Sequence, residues 1–431
     1  MSHGVWIALV VMLLLFLADV PISFALILST LSYFVVSGDL PMIAAVQRLV
    51  GGLESVPLLC IPFFIMAGVF MNRTGISRRL VAFAEVLTGH LPGGLAQVNV
   101  VLSTLMGGLS GSNIADAAMQ SKILVPEMVK RGYSPAFSTA VTAASALITP
   151  IIPPGIALII YGYVGNVSIG RLFVAGVVPG VLTCVLMMVA VHIMSVRRGY
   201  LPSRPKRAAP REVLQNARTG VLALALPLVI IMGIRFGVFT PTEAGSIAVV
   251  YAFVLGTVVY REMKAAELKR ALMESVAATA NIMLIIAAAA GFAKILTWER
   301  VPHAVTEAVT GSVASPVMFL LLTNVLLLVL GMFLEGNAAL IVLTPILVPV
   351  AKAFGIDPVH FGIIFIFNLG IGTITPPMGT VMFTTCSITK VGVDEFVREA
   401  IPFWIVLLIC LVIITYVPAV SLWLPGLMFG G

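Results

Sequence analysis

Charge is scarce in this chain. Its 431 residues include 25 Lys and Arg and 18 Asp and Glu, about 10% in all, where a soluble domain carries roughly a quarter. A water-soluble fold needs a polar shell, so a soluble enzyme and a disordered chain are both excluded. Cysteine is scarce too. Cys60, Cys184, Cys386 and Cys410 lie far apart in apolar runs and form no CxxC, which excludes a secreted disulfide scaffold and marks them as small buried hydrophobes. HExxH, a Walker loop and a Cys/His cluster are all missing, so any pumping must draw on an ion gradient and not on a nucleotide. Polar and apolar residues do not alternate as a transmembrane β-barrel requires.

What remains is apolar. Hydrophobic residues make up 60% and mean hydropathy is +1.12. At about 20 residues per crossing this leaves room for roughly ten spans. The chain is therefore predicted to be an all-α polytopic protein, one membrane domain over 1–431. Its first run, Val5–Leu17, lacks a basic n-region and a small-residue cleavage site and reads as a retained segment. Val5–Val36 is either one kinked span or two short ones, broken near Asp19–Pro21. The net charge of +7 fits positive-inside topology and not nucleic acid. Seven basic residues and one acid, Glu212, fall between Arg197 and Arg218, in a proline-broken stretch predicted to be cytoplasmic. With the helical hairpin that follows, it forms a link over 197–275 between two larger segments.

Those segments, 56–196 and 276–424, are copies. At an offset of 223, Gly108 falls on Gly331, Ile123–Pro126 on Ile346–Pro349, Gly132 on Gly355, and Pro153-Pro154 on Pro376-Pro377. Chance similarity between apolar runs matches Leu with Ile. It does not hold Gly and Pro in register over some 70 residues. Walking outward from the basic link, each copy is expected to hold a re-entrant hairpin (94–129 and 316–350) and a broken helix (136–164 and 359–388), with the two copies inverted. Inverted repeats with interrupted helices mark secondary transporters.

Each copy has two breaks: a hairpin tip (Gly107–Asn113; Gly331–Asn337) and a Pro-Pro interruption (Thr149–Gly155; Gly370–Gly379). Consecutive prolines free carbonyls, and free carbonyls at membrane depth must line a cavity or be buried in protein. Carbonyls with hydroxyls form a hard-oxygen cage suited to Na⁺, and helix N-termini beside it suit a carboxylate. One cage is expected from Ser110, Ser112 and the backbone at Thr149, Ile152 and Pro154. The second is expected from Glu335 or Gly336 with the backbone at Gly372, Thr375 and Pro377. Intramembrane acids default to function. Candidate substrate contacts are Ser112, Asn113, Asp116, Gly155, Glu335, Asn337 and Asn368. Asp116 has an alternative role, acting on the dipole of its own helix.

An intramembrane serine protease is the competing reading from a different class, because Gly108-Leu109-Ser110-Gly111 fits GxSG. The hydroxyl needs a histidine partner, and the equivalent tip has Phe333 in place of Ser110.

Four segments, Gly108–Ala118, Ser145–Gly162, Gly237–Gly245 and Asn368–Gly379, resemble the large, DctM-like membrane subunit of TRAP transporters, the tripartite ATP-independent periplasmic family. The resemblance runs nearly end to end. It implies an elevator-type transporter of the ion-transporter superfamily in the bacterial inner membrane. It also implies Na⁺-driven uptake of organic acids such as C4-dicarboxylates or sialic acids, a small four-helix membrane subunit and a periplasmic substrate-binding protein. Its sodium sites carry over to the hairpin-tip and Pro-Pro positions named above. Two departures touch the substrate region. Gly155 stands where the family often has Ser, and Lys122 is unusual in the return helix of the first hairpin. A stand-alone Na⁺/dicarboxylate symporter of the same architecture is the nearest alternative.

Overall fold

The computed structural model describes residues 3–18, 20–37, 41–313 and 315–430, with the side chains of 218–220 and 223 outside that description. Asp19 and the side chain of Arg218 therefore lie outside the described residues. Twenty α-helices and no strand occur among the described residues. In chain order they are α1 His3–Leu17, α2 Ile22–Ser37, α3 Met42–Gly51, α4 Cys60–Arg73, α5 Ile76–Thr88, α6 Gly94–Ser110, α7 Asn113–Lys130, α8 Pro135–Ser145, α9 Ile156–Val164 and α10 Ile169–Arg198. They continue as α11 Pro210–Arg235, α12 Pro241–Val254, α13 Ala265–Trp298, α14 Val301–Ser312, α15 Pro316–Phe333, α16 Gly336–Ala353, α17 Pro358–Thr373, α18 Thr380–Thr389, α19 Val393–Tyr416 and α20 Ala419–Phe429. The run Val5–Val36 resolves into two helices, because Pro21 stands between them and they pack on each other.

Among the described residues, seven helices are long and apolar enough to cross a bilayer: Val56–Arg73, Ile169–Arg198, Pro241–Val259, Ala265–Trp298, Pro316–Phe333, Gly336–Ala353 and Val393–Tyr416. The middles of several expose apolar residues: Val181, Val185 and Val189 on Ile169–Arg198, and Ile405, Ile409 and Val412 on Val393–Tyr416. On α15 the exposed stripe is Val317, Leu321, Leu322, Val325 and Val329, whereas the buried face holds Thr323 and Asn324. In water that arrangement would be costly. Against lipid tails it is the stable one, since polar groups gain by turning inward.

The helix bounds recur at the offset found in the sequence. Asn113–Lys130 and Gly336–Ala353 differ by 223 at both ends, and α8 and α17 begin 223 apart. Local chemistry explains the starts. Ser112 Oγ accepts from Ala115 N to open α7, and Glu335 Oε2 accepts from Ala338 N at 2.9 Å to open α16. Pro135 and Pro358 occupy the first turn of α8 and α17, where a missing N–H leaves no bond unmade. Ser134 and Asp357 cap those two helices.

The two copies interlock. The return helix α7 of the first packs against α18 of the second, and α16 of the second packs against α9 of the first. Tyr161 Oη donates to Pro358 O at 2.7 Å and so ties α9 to the start of α17. Its ring fits because residue 362 is glycine: a Cβ there would lie 2.3 Å from Tyr161 Cε1. Phe319, Phe354, Phe361 and Phe365 continue this aromatic core.

Candidate functional site

The site is built from the four interruptions. Ser110 ends α6, Gly111 adopts φ +61°, and Ser112 opens α7. A Cβ on Gly111 would sit 2.8 Å from the carbonyl oxygen of Pro154, so the first tip lies directly on the first Pro-Pro break. Ile156 N donates to Gly111 O at 3.4 Å across the same contact. In the second copy, Met378 N donates to Met332 O at 3.2 Å, and a Cβ on Gly372 would meet the backbone of Gly331. Both Pro-Pro bonds, Pro153-Pro154 and Pro376-Pro377, are cis.

A cavity of about 210 Å³ lies where the tips converge. Ser110, Ser112, Asn113, Glu335, Gly336 and Asn337 all line it, so six of the residues singled out from sequence meet in one place. Asn113 Nδ2 donates to Thr373 Oγ1 at 3.2 Å, joining the first tip to the second break. Asn337 Nδ2 donates to Glu335 Oε1 at 3.0 Å, and the other carboxylate oxygen caps α16. Glu335 is therefore held by two donors at the cavity wall.

Other candidates fall elsewhere. Asp116 is fully buried one turn into α7, behind the cavity wall, bonded to Thr149 and Gln120. Gly155 sits against the carbonyl of Pro150. Asn368 is buried away from the cavity, with Nδ2 donating to Asn324 Oδ1 at 2.8 Å. Ile152 packs against Gly107 and Gly180. Thr375 Oγ1 donates to Ile371 O, and Gly372 O accepts from Thr375 N. Sequence reasoning missed three polar lining residues: Asn72, Thr373 and Glu274. Asn72 Oδ1 is buried without a partner. A polar residue ending an apolar run was the available signal for Asn72.

The donor set suits a hard cation. A Cβ on Gly107, Gly111 or Gly155 would crowd the carbonyls of Thr149, Pro154 and Pro150, and one on Gly379 would lie 2.8 Å from those of Thr373 and Thr375. Side chains at these glycines would fill the space beside the oxygens. No group of three or more His, Cys, Asp or Glu that could hold a metal occurs among the described residues, so the chemistry on offer is carbonyl and hydroxyl oxygen, not a transition-metal set. The protease reading finds no support in the contacts. Ser110 Oγ reaches Met106 O at 3.4 Å, while His360 pairs with Ser421 and Thr415.

Comparison with known proteins agrees from several directions. The family model described as "Tripartite ATP-independent periplasmic transporter, DctM component" matches residues 9–420. The sialic acid TRAP transporter large permease protein of Vibrio cholerae is 39% identical over 416 residues, covering 96% of this chain and 97% of that one. The C4-dicarboxylate TRAP transporter large permease protein of Pseudomonas aeruginosa is 42% identical over 373 residues, 86% and 87% of the two chains. The 2,3-diketo-L-gulonate TRAP transporter large permease protein of Escherichia coli is 38% identical over 400 residues, 92% and 93%. Among solved structures, the Alcanivorax borkumensis YdaH transporter superposes with a TM-score of 0.63 at 15% identity, covering 90% and 88%. At that identity the likeness speaks for the fold alone.

Proposed function

This chain belongs to the DctM-component family of tripartite ATP-independent periplasmic transporters, and on that premise we propose that it is the large membrane subunit of a sodium-driven importer of an organic acid. It is a multi-pass inner-membrane transporter subunit and not an enzyme. The relatives' names point to carboxylate cargo: sialic acid, C4-dicarboxylates and 2,3-diketo-L-gulonate. A periplasmic binding protein would deliver that acid, and a small membrane subunit would complete the complex.

The observation that carries the reading is the cavity walled by both hairpin tips. Its polar wall residues, Ser112, Asn113 and Asn337, offer hydroxyl and amide groups to a hydroxylated acid. The N-termini of α7 and α16 open at the same cavity and favour a carboxylate. Sodium would be held at Ser110, Ser112 and the carbonyls of Thr149, Ile152 and Pro154, and at Glu335 or Gly336 with Gly372, Thr375 and Pro377. When bound there, it adds positive charge beside the cavity. Glu335, already held by Asn337 and the α16 backbone, would orient substrate hydroxyls. The interlocked set α6–α9 with α15–α18 is the candidate moving body. The hairpins would be re-entrant, and this body would slide as an elevator past a scaffold of the remaining helices. The interlocking of α7 with α18 and of α16 with α9 supports motion as one unit.

Uptake into liposomes tests the proposal. With the small subunit, a cognate binding protein and an inward sodium gradient, carboxylate accumulation is expected. No accumulation, or accumulation indifferent to sodium, refutes it.

A further inference from the structure

The densest polar cluster in the first copy lies behind the cavity. Asp116, Gln120, Ser103 and Thr149 are each 0% exposed. Asp116 Oδ2 accepts from Thr149 Oγ1 at 2.7 Å and from Gln120 Nε2 at 2.8 Å, and Gln120 Nε2 also reaches Ser103 Oγ at 2.7 Å. Two oxygens, Asp116 Oδ1 and Gln120 Oε1, are buried without partners. Both are acceptors, so the cluster has a surplus of negative ends.

An acid in the first turn of a helix ordinarily serves the helix itself. Here that work is done by Ser112, whose Oγ accepts from Ala115 N, and the carboxylate of Asp116 turns to another element, the break at Thr149. The elements packed most closely on α7 are α6, α8, α18 and the short turn 146–148. None of them contains Lys, Arg, His, Asp or Glu. Lys122, on α7 itself, is exposed and on the other face. A buried carboxylate without a cationic side chain holds its charge only where a cation comes close, and sodium at the first break would supply that cation. The second copy has no such group. At the offset of 223, Asp116 becomes Ala339, Gln120 becomes Leu343, Ser103 becomes Leu326 and Thr149 becomes Gly372.

We infer that Asp116 is a positioning residue and the fixed counter-charge of the first sodium site, acting through Thr149. This rests on the sodium reading above. By accepting from the Thr149 hydroxyl, Asp116 holds the residue whose carbonyl faces Gly107. Through its charge, it favours a cation at the first break.

The test is thermal unfolding of the full chain in detergent, titrated with NaCl against KCl at constant ionic strength. Wild type is expected to gain stability in two sodium steps. Asp116→Asn keeps the size of the side chain and one acceptor oxygen for Thr149 and Gln120. It is expected to unfold at or above the wild-type temperature in KCl but to need about tenfold more sodium for the first-site step. That factor is what a unit charge within about 10 Å is worth at an effective dielectric of about 20. Asp116→Glu keeps the charge and is expected to restore much of the sodium response. Thr149→Val keeps Asp116 but cuts the hydroxyl link, and a smaller shift in the same direction is expected. If wild type gains nothing from sodium, the functional reading fails. If wild type responds and Asp116→Asn titrates identically, this inference is overturned and the functional reading stands. Equal loss in Asp116→Asn and Asp116→Glu would also overturn it, because charge would then not be the cause.

Discussion

Replacing Gly372 by alanine tests how the second hairpin is held to its broken helix. A Cβ at this position would lie 2.4 Å from Gly331 C, 2.6 Å from its Cα and 2.7 Å from its O. All three are backbone atoms, so no side chain can swing aside. Carbon atoms pack at about 3.5–4.0 Å, and α15 and α17 must therefore move apart by roughly 1 Å. Overpacking of this kind costs about 1–3 kcal/mol. Alanine recovers about 0.5–1 kcal/mol through its better helix propensity, leaving a net loss of about 1–2 kcal/mol. The internal control is Gly311→Ala in α14, where nothing lies within 4 Å and only the propensity gain applies. Thermal unfolding in one detergent should move the two variants in opposite directions, Gly372→Ala down and Gly311→Ala up. Gly372→Ala unfolding at or above the wild-type temperature would refute the close approach of the two helices.

Other outcomes follow from the same contacts. Ser110→Ala combined with Ser112→Ala should raise the sodium concentration needed for half-maximal uptake and lower stability in potassium by no more than the lost α7 cap, about 0.5–2 kcal/mol; an unaltered sodium response would remove both hydroxyls from the site. Arg73 bridges Glu267 and Glu274 at 2.9 and 2.7 Å but is partly exposed, so Arg73→Gln should cost under about 1 kcal/mol, and the difference should vanish at about 1 M salt. Burial and the Arg207 guanidinium hold the His90 imidazole below its usual range, and Arg207 Nε donates to its Nε2 at 3.2 Å. The neutral form is thus the one that the fold favours. This contribution is fully present above about pH 6.5 and is lost as pH falls through the lowered value. Protease nicking of loop 199–209 should rise on acidification in wild type and stay level in His90→Gln.

The sequence made the breaks legible because Gly and Pro act locally. Residues 111–112 and 153–154 interrupt helices for reasons contained within a turn of chain, and the offset of 223 then located their counterparts. Helices α3, α5 and α14 escaped notice. Their apolar residues form a stripe and not a run, and Arg78 and Arg79 or Glu307 interrupt any hydropathy window. At the site, the tips were foreseeable, but Asp116 was expected at the substrate and is instead bonded to Thr149. The clue was available in polar residues at helical spacing within apolar runs: Asn99 and Ser103, Asp116 and Gln120, Ser145 and Thr149. Spacing of that kind says which face is polar. It does not say which two faces meet, because that depends on contacts dozens of residues apart. Asn368 shows the same limit from the other side, its amide used by Asn324 and not by the cavity.

The bond from Asn113 to Thr373 has a consequence for how easily the cavity floor parts. It is one neutral side-chain hydrogen bond between the two halves of the molecule, and such a bond contributes about 1 kcal/mol net. That amounts to about a fivefold bias between a joined and a parted floor. Ordinary thermal motion crosses a difference of that size continually, so at this point the two copies are latched rather than locked. A ligand that offered Asn113 and Thr373 replacement partners would release this one bond at almost no net cost. The floor of the cavity would then respond to the polarity of what occupies it, and an apolar occupant of equal size would leave the latch shut.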